Sequence, residues 1–171
     1  MNPKTSTIKT SRLTLSSITD KDFDAVIEIF INEEVGKTFM VHIFKDEEHK
    51  VKLFERMKQL SILEDRFVYG IFLDNKLIGL INEVERKNLQ VEVGYVIHPT
   101  YKNKGYATEA LTASIEELFK IGYTCIKAGA FEENEASMRV MSKSGMVKTD
   151  EREQIEYRGK LHNCIYYEIH K

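Results

Sequence analysis

Apolar residues along this chain switch between two spacings, and the switches mark out its elements. Alternation in Arg12-Leu13-Thr14-Leu15-Ser16 predicts a first strand. Phe23, Val26, Ile27, Phe30 and Ile31 then recur at three and four residues, the spacing of a helix face. Thr19 stands where an N-cap belongs, with Asp20 and Asp22 favourable in the first turn. The segment from Asn32 to Phe44 has no period, contains Gly36, and gathers Phe39, Met40, His42 and Phe44 toward its end. Asp46 can cap a second helix whose broad face carries Val51, Leu53, Phe54, Met57, Leu60 and Ile62. The runs Phe67 to Leu73 and Leu77 to Ile81 flank Asp74-Asn75 and predict a hairpin, and Arg86-Lys87-Asn88 makes the next turn.

The stretch from Asn88 to Gly122 organises the rest. Val91, Val93, Val96 and Ile97 predict a buried strand, interrupted at Gly94 and ended by His98-Pro99. Lys102-Asn103-Lys104-Gly105-Tyr106-Ala107 runs straight into a helix with Ala107, Ala110, Leu111, Ser114, Ile115, Leu118 and Phe119 on one face. Gly122 closes it as a left-handed terminal residue. Such a junction presents unpaired N–H groups, the positive end of a helix dipole and two lysines, which together suit a phosphate. The same letters also fit a plain capped helix with solvated lysines. Tyr123 to Phe131 predicts another strand, parallel to the Val91–Ile97 strand because a helix crosses between them. A short helix from Glu135 to Ser144 ends at Gly145, and strands from Met146 to Tyr157 and Lys160 to His170 turn at Arg158-Gly159. The order predicts a mixed α/β fold in which an antiparallel meander leads into one parallel pair. No repeat, linker or low-complexity segment divides it, so residues 1–171 read as one domain.

Composition narrows the partners. The chain has 171 residues, is 42% hydrophobic and carries a formal net charge of −2, which gives no basic field for nucleic acid. Nothing approaches the ~20 apolar residues of a membrane span, and Met1 to Thr10 show no secretory run. Cys125 and Cys164, among apolar neighbours, read as buried free thiols of a cytoplasmic protein. No His or acid accompanies Cys125 in sequence, so an acyl-relay role has no support there. His42, His49, His98, His162 and His170 show no metal-ligand spacing, and no metal is expected.

Asn134-Glu135-Ala136-Ser137 begins the short late helix, and Gly145 ends it. Taken with Lys102 to Ala107, with Gly105-Tyr106-Ala107-Thr108-Glu109-Ala110-Leu111 and with the opening Ser11-Arg12-Leu13-Thr14-Leu15, the order resembles the GNAT acetyltransferase superfamily. In particular it is similar to the branch that includes ribosomal-protein N-terminal (alanine/serine) acetyltransferases. The resemblance covers nearly the whole chain. It departs at Lys102, where the family usually has Arg or Gln, and at Asn103, a frequent glycine that Asn can replace in a left-handed backbone.

The resemblance implies a mostly antiparallel sheet with one splayed parallel pair and about four flanking helices. It also implies acetyl-CoA (coenzyme A) as cofactor, with the pantetheine arm against the backbone of Tyr95, Val96 and Ile97. The pyrophosphate is then expected on Lys102, Asn103, Lys104, Gly105, Tyr106, Ala107 and Thr108, and Asn134 and Ser137 beyond them. An amine attacks the thioester directly, which asks for a base, an oxyanion donor and a group to stabilise the leaving thiolate. Glu92 is the expected base, with Glu83 and Glu85 as runners-up; an ordinary outward-facing glutamate is the alternative reading. Many members place a tyrosine seven residues after the asparagine, but that position is Met141. Ser137 is then the expected thiolate partner, or else a plain helix-start serine.

Acceptor contacts are expected from Glu33, Phe39, Phe44, Glu92 and Tyr157, where acid beside aromatic suits a cationic amine. The expected activity is acetyl transfer to a primary amine, a peptide N-terminus or a small amine, by a monomer or homodimer with no nucleic-acid or membrane partner. A non-catalytic acyl-CoA sensor of the same fold is the alternative. A nucleotide-binding protein is a third class, weakened by the absence of Gly-Lys-Ser/Thr after the loop.

Overall fold

The computed structural model describes residues 2–41 and 44–171. Its centre is an eight-stranded sheet in the order β1 (Thr7–Lys9), β2 (Leu13–Ser16), β3 (Val68–Leu73), β4 (Lys76–Lys87), β5 (Gln90–Ile97), β6 (Cys125–Phe131), β8 (Lys160–His170), β7 (Val147–Tyr157). Every neighbouring pair is antiparallel except β5 and β6, the pair the crossover helix predicted. Asp74 and Asn75 turn the β3–β4 hairpin with positive φ at both, the conformation that Asp and Asn tolerate best after glycine.

Helices cover both faces. On one lie α1 (Phe23–Ile31), the single turn α2 (Glu33–Gly36) and α3 (Glu47–Ile62), and on the other α4 (Tyr106–Ile121) and α5 (Glu135–Lys143). The sheet therefore separates two apolar cores. Leu15, Ile71, Ile78, Leu111, Leu118, Ile126 and Met141 fill the α4 side, while Ile18, Val26, Ile29, Phe54, Leu80 and Val96 fill the α1–α3 side. Among the described residues no helix is long and apolar enough to cross a membrane. Both cysteines are buried free thiols, as expected.

Three features depart from the sequence reading. Strand β1 was not legible, since three residues are too few to show a period. Thr19 begins a 3-10 turn, Asp20–Asp22, that leads into α1, and its amide and hydroxyl both bond Asp22 Oδ2. The irregular segment after Asn32 starts with α2, capped by the Asn32 side chain on the amides of Glu34 and Val35. His42 lies outside the described residues.

What positions the site is where β5 and β6 part. Their register runs only over Gln90↔Cys125, Val91↔Ile126 and Glu92↔Lys127. Beyond Glu92, strand β5 stays paired to β4 through Ile97, and β6 stays paired to β8 through Phe131. The sheet is thus split in the middle, and the gap carries strand backbone that no neighbouring strand satisfies.

Candidate active site

The gap opens into a cleft of about 350 Å³, lined by β5 from Val93 to Ile97, the loop from Tyr101 to Thr108 (Lys104 excepted), Gly129 and Ala130 of β6, and Asn134, Ser137 and Val140 of α5. The loop is shaped by backbone conformation. Asn103 takes φ 61° and Gly105 φ 82°, so the left-handed tolerance expected of Asn103 is used. Gly105 is the N-cap of α4 and has no side chain to give, and the first helical amide to close is that of Glu109 on the Gly105 carbonyl, at 3.0 Å. The amides of Tyr106, Ala107 and Thr108 are therefore free to face a ligand at the positive end of a sixteen-residue helix. Lys102 and Lys104 are exposed, and Lys102 Nζ lies 2.6 Å from Glu34 Oε1, so its charge is shared with α2. A free helix start, an unpaired strand edge and a narrow cleft between them fit a diphosphate on an extended arm.

Ser137 sits on the α4–α5 side of the gap. Asn134 caps α5 by accepting the Ser137 amide on Oδ1 at 3.1 Å, which accounts for the Asn-x-x-Ser spacing. The Tyr95 hydroxyl stands 2.8 Å from Ser137 Oγ. Sequence reasoning assigned only backbone to Tyr95, and its side chain was the part it missed. Alternation along β5 was the available signal, since Val91, Val93 and Tyr95 share a face. Met141 is fully buried in the α4-side core, so that position contributes packing and no donor to the cleft.

Glu92 sits on the opposite face, at the fork. It stands opposite Glu85 on β4 and Lys127 on β6. Burial pushes its carboxyl above the ordinary range, Lys127 works against that shift, and Glu85, Glu151 and Glu153 add to it. Lys127 is itself held, 2.6 Å from Glu151 and 3.9 Å from the centre of the Tyr166 ring, while Tyr166 donates to Glu153 at 2.6 Å. Glu92 stands on the last paired rung of the fork and is not among the residues lining the cleft, but its half-buried carboxyl with a raised pKa is of the kind suited to accept a proton. Glu83, a runner-up for this role, is corrected. A bulge between Glu83 and Glu85 turns it to the other face, where it pairs with Arg66 at 2.6 Å and accepts the Phe67 amide at 3.0 Å.

The residues expected to meet the acceptor separate. Phe39 lines the cleft, joined by Val35 and Thr38. Glu33 is exposed in the first turn of α2 and is not among the lining residues. Phe44 packs against the α1–α3 core instead of the cleft. The Tyr157 hydroxyl donates to the Gly36 carbonyl at 2.9 Å and accepts the Val41 amide at 3.3 Å, so it ties the β7–β8 turn to the segment after α2. Cys125 is the core thiol expected, with a neighbour that is distant in sequence. Across β6 and β8 its Sγ lies 3.9 Å from His170 Nε2, which is 3.3 Å from Glu168. That group stands at the paired end of β6, away from the cleft lining, so it has no access to a thioester there.

The Acetyltransferase (GNAT) domain family matches residues 12–147. The uncharacterized N-acetyltransferase YoaA of Bacillus subtilis is 30% identical over 170 residues, which span 96% of each chain. A GNAT-family acetyltransferase from Bacillus anthracis has a solved structure with a TM-score of 0.82 at 29% identity, over 96% of this chain and 98% of that one. RimL, a ribosomal alpha-N-protein acetyltransferase solved with coenzyme A, gives a TM-score of 0.81 over 96% and 97%. At 18% identity that likeness is one of fold.

Proposed function

The chain belongs to the GNAT acetyltransferase family, and we propose that it moves the acetyl group of acetyl-CoA to the α-amine of a protein or peptide N-terminus. The donor is the family's own, and acetyl transfer to an amine follows from membership. The finer reading, of acceptor and mechanism, is ours. The observation that carries it is the split between β5 and β6, with Ser137 on one face of the sheet and Glu92 on the other. A donor held on the α4–α5 side and an amine arriving from the other side meet only through that gap. Direct attack in a ternary complex suits this arrangement, and a relayed acyl-enzyme does not, because Cys125 lies outside the cleft.

In this reading the free amides at the start of α4 bind the donor's phosphates, and the open edge of β5 orients its arm. Glu92 takes the proton that the attacking amine sheds, and Ser137 donates a hydrogen bond to the leaving sulfur. The acceptor follows from the base. A peptide α-amine has a reference pKa of ~7.7–8.0 against ~10.4 for lysine, so much more of it is neutral near pH 7. A single carboxylate, even one with a raised pKa, serves the weaker base better. The likeness to RimL, described as an alpha-N-protein acetyltransferase, points the same way.

The test is a panel of short peptides with acetyl-CoA, followed by release of free thiol. Peptides with a free N-terminus should react faster than N-terminally blocked peptides with a free lysine. Equal rates would overturn the α-amine assignment. Tight acetyl-CoA binding with no turnover on any amine would favour the acyl-CoA sensor.

A further inference from the structure

Two hydroxyls meet inside the cleft and have no other side-chain partner among the described residues. Tyr95 reaches across from β5 so that its Oη lies 2.8 Å from Ser137 Oγ and 3.2 Å from the Ser137 carbonyl oxygen. The Ser137 backbone is held where α5 begins, because its amide donates to Asn134 Oδ1 at 3.1 Å. Both residues line the cleft, and the Tyr95 ring packs against the apolar core beneath α4.

The chemistry of the pair follows from counting protons. A phenol has one proton to donate, and both acceptors within its reach belong to Ser137. Either hydroxyl can donate across the 2.8 Å contact; with Tyr95 donating to Ser137 Oγ, the seryl proton is free for an acceptor in the cleft. We propose that Tyr95 is a positioning residue that turns the Ser137 hydroxyl into a hydrogen-bond donor for the coenzyme's sulfur. The chain runs from the Tyr95 O–H to Ser137 Oγ and from the Ser137 O–H to the thiolate. This rests on the reading that the donor's thioester occupies this cleft.

No proton has to leave the tyrosine. When the carbon–sulfur bond of the adduct breaks, its electron pair goes to sulfur, and the two aligned O–H dipoles meet the charge where it forms. Burial supports a donor that stays whole: desolvation pushes the Tyr95 phenol up to about 12, well above an ordinary thiol at ~8.5. The Ser137 contact works against that rise without cancelling it, so in this arrangement the tyrosine serves as a fixed dipole. Hydrogen bonds in such a chain polarise one another, so the seryl O–H is a stronger donor with Tyr95 behind it than alone. Met141, one turn further along α5, is buried and supplies no alternative.

The ionisation of bound coenzyme A tests this without turnover. The thiolate absorbance of the complex is titrated with pH, with the complex of desulfo-coenzyme A subtracted, in the wild type, Tyr95→Phe and Ser137→Ala. The wild type should ionise at the lowest pH. Both variants should ionise about one unit higher, roughly a tenfold smaller thiolate fraction at a given pH. Affinity for desulfo-coenzyme A, which lacks the sulfur, should change less than about twofold in Tyr95→Phe, a variant that removes one oxygen and keeps the ring. Unchanged ionisation in Tyr95→Phe would overturn the proposal, as would a large loss of desulfo-coenzyme A binding, which would mark Tyr95 as a wall of the cleft. Failure of the wild type to bind coenzyme A at all would instead remove the acetyl-CoA reading on which it stands.

Discussion

Arg12 and Glu109 stand 97 positions apart in the chain, yet Arg12 Nε donates to Glu109 Oε2 at 2.7 Å and Nη2 lies 2.6 Å from the same oxygen. The other carboxylate oxygen collects the Thr10 hydroxyl at 2.6 Å, the Ser11 hydroxyl at 3.0 Å and the Arg12 amide at 2.9 Å. Arg12 also donates through Nη1 to the Lys104 carbonyl at 2.8 Å and lies over the Tyr106 ring. The segment before β2 thus clamps the loop that begins α4 from behind, leaving its amides free in front.

This clamp should make acetyl-CoA binding sensitive to residues that do not line the cleft. Arg12→Met and Glu109→Gln should each weaken it about tenfold, since a charge-assisted hydrogen bond is worth about 1.5–3 kcal/mol and only part of that reaches the ligand. Calorimetry checks it; unchanged affinity in both would show that the loop holds its shape alone. The same contacts depress the Glu109 carboxyl to about 2, despite the burial that opposes them. Because the folded value lies below the unfolded one, the stabilisation is complete above about pH 4.5 and is lost as pH falls toward 2. Thermal melts between pH 5 and pH 2.5 should therefore fall more steeply for the wild type than for Glu109→Gln.

Gly105 should matter more than Lys104. A side chain at Gly105 meets a positive φ and places its Cβ 3.3 Å from Arg12 Nη2, disturbing both the turn and the clamp. Lys104 offers only an exposed charge, worth about 1 kcal/mol at most. Gly105→Val should weaken acetyl-CoA more than about tenfold, and Lys104→Ala only a few-fold, with the Lys104 effect shrinking in added salt. The comparison of the two dissociation constants is the measurement.

Glu92 sets the acid limb of the pH–rate profile if it is the base. Its raised pKa should move that limb above the range of an ordinary carboxylate. Lys127 favours the charged form, so Lys127→Met should raise the Glu92 pKa further and shift the limb to higher pH. Glu92→Gln should lower kcat by about a hundredfold or more at pH values above that limb, where the wild-type carboxylate is ionised, and should remove the limb itself. A limb that stays in place in both variants would remove Glu92 from the proton transfer.

The Tyr157 hydroxyl joins the β7–β8 turn to the segment after α2. Tyr157→Phe should cost about 1 kcal/mol of stability and raise KM for the acceptor while leaving KM for acetyl-CoA unchanged. Steady-state kinetics with each substrate varied in turn separates the two. An effect on acetyl-CoA alone would place this junction on the donor side.

Much of the architecture was legible before any coordinates, because local spacing carries it. Period-two and period-three-to-four runs marked the strands and helices from Leu13 to His170 apart from the single turn α2, and the crossover helix between β5 and β6 required that pair to be parallel. The loop was legible for a similar reason: Asn103 and Gly105 announce left-handed backbone, and a helix beginning directly after them must leave its first amides open. Membership of the family was readable from the same letters.

What remained hidden depends on faces and on distance across the fold. Glu83, Glu85 and Glu92 look equivalent in sequence, and one bulge between β4 and β5 sends Glu83 into ion pairs on the far face while Glu85 and Glu92 stay together. Glu109 reads as a helical surface residue until Arg12 arrives from the other end of the chain. Tyr95 reads as strand core until the splay leaves its hydroxyl facing Ser137. The sequence by itself determined most of the elements, their order, the parallel pair and the open start of α4, since these follow from backbone preferences acting over a few residues. Only the tertiary structure decided which side chains meet at the gap, because a one-residue shift in strand register reverses the face of everything that follows it.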